Sequence, residues 1–126
     1  MSTDFVTRHF FHSFIRLHIL YHAAKEPTYG AEITEEIVRH GYRLSQGTLY
    51  PTLHQLQELG YLRSHIRVVA GRQRKYYRAT AAGKKVLAEA RSRLLELVVE
   101  VIEDNDLPFQ AMRQKRRQRA SEGNQA

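Results

Sequence analysis

Ser45-Gln46-Gly47-Thr48-Leu49-Tyr50-Pro51-Thr52-Leu53-His54-Gln55-Leu56-Gln57-Glu58-Leu59-Gly60 has the makings of one short helix with two unlike sides. Leu49, Leu53 and Leu56 recur at steps of 4 and 3, the spacing of a single helix face, and Leu59 extends the row. Ser45 is placed to cap the start, because its hydroxyl can accept from a backbone N–H two or three residues on. Gly60 supplies the stop. The other side, Thr48, Pro51, His54 and Gln55, has no large aliphatic residue and almost no charge. Such a face suits insertion into a partner better than burial in a core. Pro51 breaks a local rule, since inside the second turn it forfeits one hydrogen bond and presses on an earlier carbonyl. Rule-breaking residues gather where function sits, although an ordinary amphipathic helix with an awkward proline would look the same.

Working outward, the segment before this helix reads as two more. The first is predicted from near Asp4 to Lys25, stopped by Pro27 and a Thr28-Tyr29-Gly30 turn. It carries two apolar faces: Phe10, Phe14, Leu17, Tyr21 and Ala24 on one, Phe11, Ile15, His18 and His22 on the other. Two apolar faces call for two partners, its own core and something else such as a second subunit. The second helix is predicted over Tyr29 to Arg39, with Ile33 and Ile37 inward and Gly41 as breaker. Two short helices joined by a tight linker, the later one polar outside, are the helix-turn-helix pattern.

After Gly60, Tyr61 to Val69 is rich in β-branched residues. Ala70-Gly71-Arg72-Gln73 reads as a turn, and Arg74 to Ala79 as a returning strand. The expected tip, Gly71-Arg72-Gln73-Arg74-Lys75, is strongly cationic. Three helices followed by a basic hairpin have the layout of a winged helix. Thr80 then caps a long helix expected to reach about Asp106. Its apolar stripe contains Leu87, Ala90, Leu94, Leu97 and Val101, widened by Leu95, Val98 and Ile102. A stripe of that width must be buried, and self-association is the favoured way to bury it. The expected fold class is thus mainly α with a small β-hairpin. Residues 1–85 are expected to form a winged helix-turn-helix domain with an N-terminal helix, of the kind that binds DNA, 86–106 a dimerisation helix, and 107–126 a basic tail with the composition of a disordered segment.

Charge distribution narrows the partner. The formal net charge of the 126 residues is +7. No acidic residue lies between Glu58 and Glu89, whereas Arg63, Arg67, Arg72, Arg74, Lys75, Arg78, Lys84 and Lys85 all do. A second cluster, Arg113, Lys115, Arg116, Arg117 and Arg119, occupies the tail. Clustered cations point to a polyanion, most often nucleic acid. Cysteine is absent, which removes disulfides and thiolate chemistry and fits a cytoplasmic protein. No apolar run reaches the roughly 18 residues of a membrane span, and no secretory leader is legible in Met1-Ser2-Thr3-Asp4.

With these parts placed, the chain resembles the PadR family of transcriptional regulators. The resemblance is carried by Tyr29-Gly30-Ala31-Glu32-Ile33, Gly47-Thr48-Leu49-Tyr50-Pro51-Thr52-Leu53-His54-Gln55-Leu56, Glu58-Leu59-Gly60-Tyr61-Leu62, Gly71-Arg72-Gln73-Arg74-Lys75-Tyr76-Tyr77-Arg78 and Thr80-Ala81-Ala82-Gly83. It covers roughly residues 10 to 95, in one order and spacing. It implies a homodimeric winged-helix repressor that binds an imperfect palindrome in double-stranded DNA. Release by a small molecule is common in the family, phenolic acids serving for its founding members. One helix and a tail after the wing place this chain in the short-tailed subgroup, where a large dedicated ligand pocket is not expected.

The candidate DNA-binding residues are Ser45, Gln46, Gly47, Thr48, Tyr50, Pro51, His54, Arg72, Arg74 and Lys75. Gln46, Thr48 and His54 are suited to base edges, glutamine to adenine. Tyr50 either orients the helix, meets a phosphate or is simply packed. Arg72, Arg74 and Lys75 are suited to the phosphate backbone or the minor groove. The candidate dimer interface is Phe11, Ile15, His18, His22, Leu87, Leu94, Val98, Val101 and Ile102.

Among seven histidines, His18 and His22 stand at i and i+4, the spacing of two metal ligands on one helix. No third ligand is evident, so interface histidines, able to sense pH, are the preferred reading and no metal or other cofactor is expected. No nucleophile elbow, phosphate loop or paired carboxylates occur, which argues against an enzyme. The rival reading is a winged-helix adaptor for a protein or RNA partner, with the basic tail as its main contact.

Overall fold

The computed structural model describes residues 4–102 and Gly123. The order of elements is α1 (Phe5–Lys25), β1 (Thr28–Tyr29), α2 (Gly30–Arg39), α3 (Gln46–Glu58), β2 (Leu62–Val69), β3 (Arg72–Ala79) and α4 (Ala81–Val101). Asp4 caps α1, its carboxylate accepting from the Thr7 amide at 2.9 Å. Its end is set by Pro27: the preceding residue is pushed out of the helical region, and Glu26 is extended at φ −160°.

β1 was not foreseen. Thr28 and Tyr29, expected as turn and helix start, pair antiparallel with Tyr77 and Tyr76, giving a three-stranded sheet in the order β1-β3-β2. Two residues are too few to show alternation, and only the tertiary approach of β3 makes them a strand. The hairpin also closes earlier than predicted. Val69 pairs with Arg72, so Ala70 and Gly71 alone form the turn. Both have positive φ, 51° and 77°, the geometry that follows strand twist in a two-residue hairpin. Arg72 to Lys75 are therefore strand residues.

α3 ends in a Schellman arrangement. Gly60, at φ 82°, donates to the Gln57 carbonyl at 3.0 Å and Tyr61 donates to that of Leu56 at 2.9 Å. Leu59 is the C-cap and lies more than half exposed, so the inward row is Leu49, Leu53 and Leu56, joined by buried Thr52. Thr80 caps α4 by accepting from the Gly83 amide at 3.0 Å, and its hydroxyl donates to the Gly60 carbonyl at 2.6 Å. Gly83 has no room for a side chain, because an added Cβ would lie 2.1 Å from the Tyr61 carbonyl oxygen.

The core gathers Ile15, Ile19, Leu20 and Ala23 from α1, Ile33 and Ile37 from α2, and Leu49, Leu53 and Leu56 from α3. Leu62, Tyr77, Ala79 and Leu87 close it. Two expectations are thereby corrected. Ile15 and Leu87, predicted at the dimer interface, are 0% and 7% exposed within the chain's own core and have no surface to offer a partner. The period of a helix gives a stripe's direction, not which neighbour covers it. The winged unit accordingly extends through Ala90. In the second compact unit, from Arg91 onward, Leu94, Leu97, Val101 and Ile102 are exposed and Val98 half-buried. The predicted continuation of α4 to Asp106 and the basic tail at 107–126 lie outside the described residues, Gly123 apart.

Candidate nucleic-acid interface

The outward side of α3 is as the sequence anticipates. Ser45, Gln46, Gly47, Tyr50, Pro51, His54 and Gln55 are exposed and Thr48 is half-buried. Ser45 caps the helix at Thr48, whose amide donates to its Oγ at 3.2 Å, and the Ser45 hydroxyl in turn donates to Thr48 Oγ1 at 3.2 Å. The Ser45 carbonyl takes the amides of Thr48 and Leu49. Pro51 sits inside the helix and removes the amide that would have bonded Gly47's carbonyl. Thr52 turns its hydroxyl back to donate to the Thr48 carbonyl at 2.7 Å. His54 leans toward Glu58 on the same face, Nε2 to Oε1 3.2 Å. Tyr50 is half exposed and reaches across to the start of α2, where its hydroxyl would lie 3.2 Å from a Cβ placed on Gly30.

The sheet divides the basic wing residues between its faces. Strand alternation and register put Arg63↔Arg78, His65↔Tyr76, Arg67↔Arg74 and Val69↔Arg72 on one side, and Leu62↔Ala79, Ser64↔Tyr77, Ile66↔Lys75 and Val68↔Gln73 on the other. Arg72 and Arg74 thus share a face, whereas Lys75, predicted with them, lies on the core-side face, its ammonium 5.6 Å from the Tyr77 ring. In exchange Arg63, Arg67 and Arg78 join the outer face. Two arginine pairs stand directly opposite one another, an arrangement that destabilises a sheet. Aromatic rings offset part of that cost: Arg74 lies 4.2 Å over Tyr29 and Arg67 4.8 Å over Tyr76. An anion laid across this face would relieve the rest. The strand register that assembles these five arginines depends on the Ala70-Gly71 turn, which composition could not locate.

α1 supplies two residues that sequence reasoning missed. His12 and Arg16, one turn apart, form with Gly47, Thr48, Pro51, Thr52 and Gln55 the walls of an open groove of about 330 Å³. The signal was the i, i+4 spacing of two basic side chains, masked by the apolar residues around them.

His18 and His22 pack against α2. Their rings are 5.9 Å apart, with His40 4.7 Å from His18, and Glu36 Oε1 lies 3.9 Å from His22 and 3.7 Å from His40. Burial, then His40 and His22, push the His18 imidazole below its ordinary pKa, against a weaker opposite pull from Glu36. Among the described residues no group of three His, Cys, Asp or Glu is placed to hold a metal ion. Phe11 stacks on Tyr42 at 4.9 Å. The large apolar residues that α1 leaves exposed are Phe5, Val6 and Phe10.

A recognition-type helix held by two others and followed by an antiparallel hairpin defines a winged helix protein. Comparison with known sequences and structures is specific. The profile of the transcriptional regulator PadR-like family matches residues 19–89. Transcriptional regulator Rv3488 of Mycobacterium tuberculosis is 55% identical over 95 residues, 75% of this chain and 89% of that protein. The crystal structure of a PadR-like transcription factor from Bacteroides fragilis aligns with a TM-score of 0.66 at 28% identity, covering 78% of this chain and 96% of the other. A PadR family regulator from Eggerthella lenta aligns at 0.61 and 27%, covering 79% and 92%. The chain belongs to the PadR-like family of transcriptional regulators. Among the described residues no helix is long and apolar enough to cross a membrane.

Proposed function

We propose that the protein is a homodimeric, sequence-specific repressor that binds a palindromic operator in double-stranded DNA and is released by a small molecule or another signal. The observation that carries this is the pairing of an exposed α3 face, uncharged until Glu58 at its end, with an arginine-lined sheet. The first can enter a major groove without a charge penalty and read base edges; the second holds phosphates. Gln46 at the helix start and His54 a turn and a half beyond Tyr50's preceding residue supply hydrogen-bonding ends for base edges, with Tyr50 setting the attitude of the helix. Arg72 and Arg74, with Arg63, Arg67 and Arg78, supply affinity that falls steeply with salt.

The exposed leucine and valine row at Leu94, Leu97 and Val101 supports self-association, since burying each such side chain contributes about 1.5–3 kcal/mol. Two copies would then present two α3 helices to half-sites about 34–36 Å apart. No resident cofactor enters this reading.

The test is a gel-shift panel on the promoter upstream of the protein's own gene against shuffled duplexes. Saturable preference for the promoter is expected. Arg74→Ala should weaken every duplex alike, and Gln46→Ala should change the ranking among them. The reverse assignment overturns the docking; equal, salt-labile binding to any nucleic acid overturns the regulator in favour of an adaptor.

A further inference from the structure

Arg16 is half-buried, and its side chain makes no hydrogen bond or ion pair among the described residues. An arginine of this kind lays its aliphatic stem against the protein and keeps its guanidinium free to meet an outside anion. Arg16 lines an open groove. Its opposite wall is Gly47, Thr48, Pro51 and Gln55, the outward side of α3, and His12 stands one turn before Arg16 on the same wall of α1. No acidic residue lines the groove.

Gly47 lies in the first turn of the 13-residue α3. Its amide is not among those that Ser45 takes, and an added Cβ there would meet only the Ser45 hydroxyl, at 3.8 Å. First-turn amides carry the positive end of the helix dipole. The groove thus joins a fixed cation, an imidazole able to donate an N–H, and the cationic end of a helix, on the surface proposed to meet DNA.

We propose that this groove is a phosphate clamp. Arg16 and His12 grip a backbone phosphate of the duplex beside the half-site that α3 reads, which makes α1 a third DNA-contacting element. The inference rests on the DNA-binding reading above. Its effect is on position and affinity rather than base choice, because a phosphate contact fixes the register of the protein without carrying sequence. The planar guanidinium, restrained by its half-buried stem, suits two phosphate oxygens at once.

The experiment is fluorescence anisotropy of the full chain on the promoter duplex and on a random duplex, over a series of salt concentrations, for wild type, Arg16→Gln and Arg16→Lys. Arg16→Gln is expected to weaken both duplexes on the order of tenfold, and to lower the salt slope by about 0.9 per bound protomer. Arg16→Lys should restore the slope and most of the affinity. Thermal melting of the free proteins should stay unchanged.

Unchanged affinity and slope in Arg16→Gln overturn the clamp while leaving the regulator intact. Weaker binding with an unchanged slope and a lowered melting temperature also overturns it, because Arg16 would then act only through folding. Promoter and random duplexes bound alike by the wild type, with the slope still falling in Arg16→Gln, overturn operator recognition but keep the clamp. No binding to either duplex sinks both.

Discussion

Ala70 holds a left-handed conformation, φ 51°, that costs an L-residue with a Cβ about 1 kcal/mol. Ala70→Asn, the preferred partner of Gly71 in such a turn, should raise stability by roughly 0.5–1 kcal/mol, read as a higher urea midpoint. Gly83 is constrained in the opposite sense. Gly83→Ala places a methyl against the Tyr61 carbonyl, with the rigid hairpin and the capped α4 both resisting movement. A loss of about 2–3 kcal/mol is expected, visible as a lowered midpoint.

His18 gives the fold a pH slope of definite sign. Its folded pKa lies below the ordinary value, chiefly through burial and then through His40 and His22. The folded chain therefore binds fewer protons than the unfolded one. That contribution is fully present above the unfolded pKa, about 6.5, and is lost as pH falls from there through the folded value. Melting curves from pH 7.5 to 5 should show the loss, and His18→Gln should make the dependence shallower. An equal slope in the variant would remove His18 as its source.

At the scale of elements, α3 accepts a local defect for the sake of its outer face. Pro51→Ala restores the missing amide and should stabilise the helix by about 1–3 kcal/mol, again measured by urea unfolding. The same change removes a wall of the groove that Arg16 lines, so promoter affinity should not rise with stability. The sheet shows the same economy. Opposed Arg63↔Arg78 and Arg67↔Arg74 pairs make the isolated wing less stable than a neutral one would be. Arg67→Thr should leave stability level or slightly raised while lowering affinity for every duplex, because it removes both a repulsion and, on the proposed docking, a phosphate contact. A duplex-dependent loss would mean that Arg67 reads bases.

For the whole molecule, the proposal of a dimer rests on what the chain leaves uncovered. Leu94, Leu97 and Val101 are exposed in the second compact unit, and Phe5, Val6 and Phe10 in the first. Ile15 and Leu87, which the periodicity had assigned to the same purpose, are spent on the core. Leu94→Asp together with Val101→Asp should leave the winged unit folded, since neither side chain belongs to its core, and should convert a dimer to a monomer in light scattering. Operator affinity should then fall far more than affinity for a half-site. A double variant that stays dimeric would transfer the interface to the α1 cluster, where Phe10→Asp is the corresponding change.

The amino-acid order alone determined the helices, the caps at Ser45 and Thr80, the glycine stop at Gly60 and the polar side of α3, because each depends on residues within a turn or two of one another. It determined family membership for the same reason: the motifs are local and lie in a set order. Tertiary structure decided which apolar residues were already taken, since burial depends on neighbours distant in sequence, and so moved Ile15 and Leu87 inward. It also made β1 from two residues by bringing β3 alongside, set the register that separates Lys75 from Arg72 and Arg74, and placed His12 and Arg16 opposite α3. Spacing along a chain fixes the direction of a side chain about its own axis; only packing fixes what that direction meets.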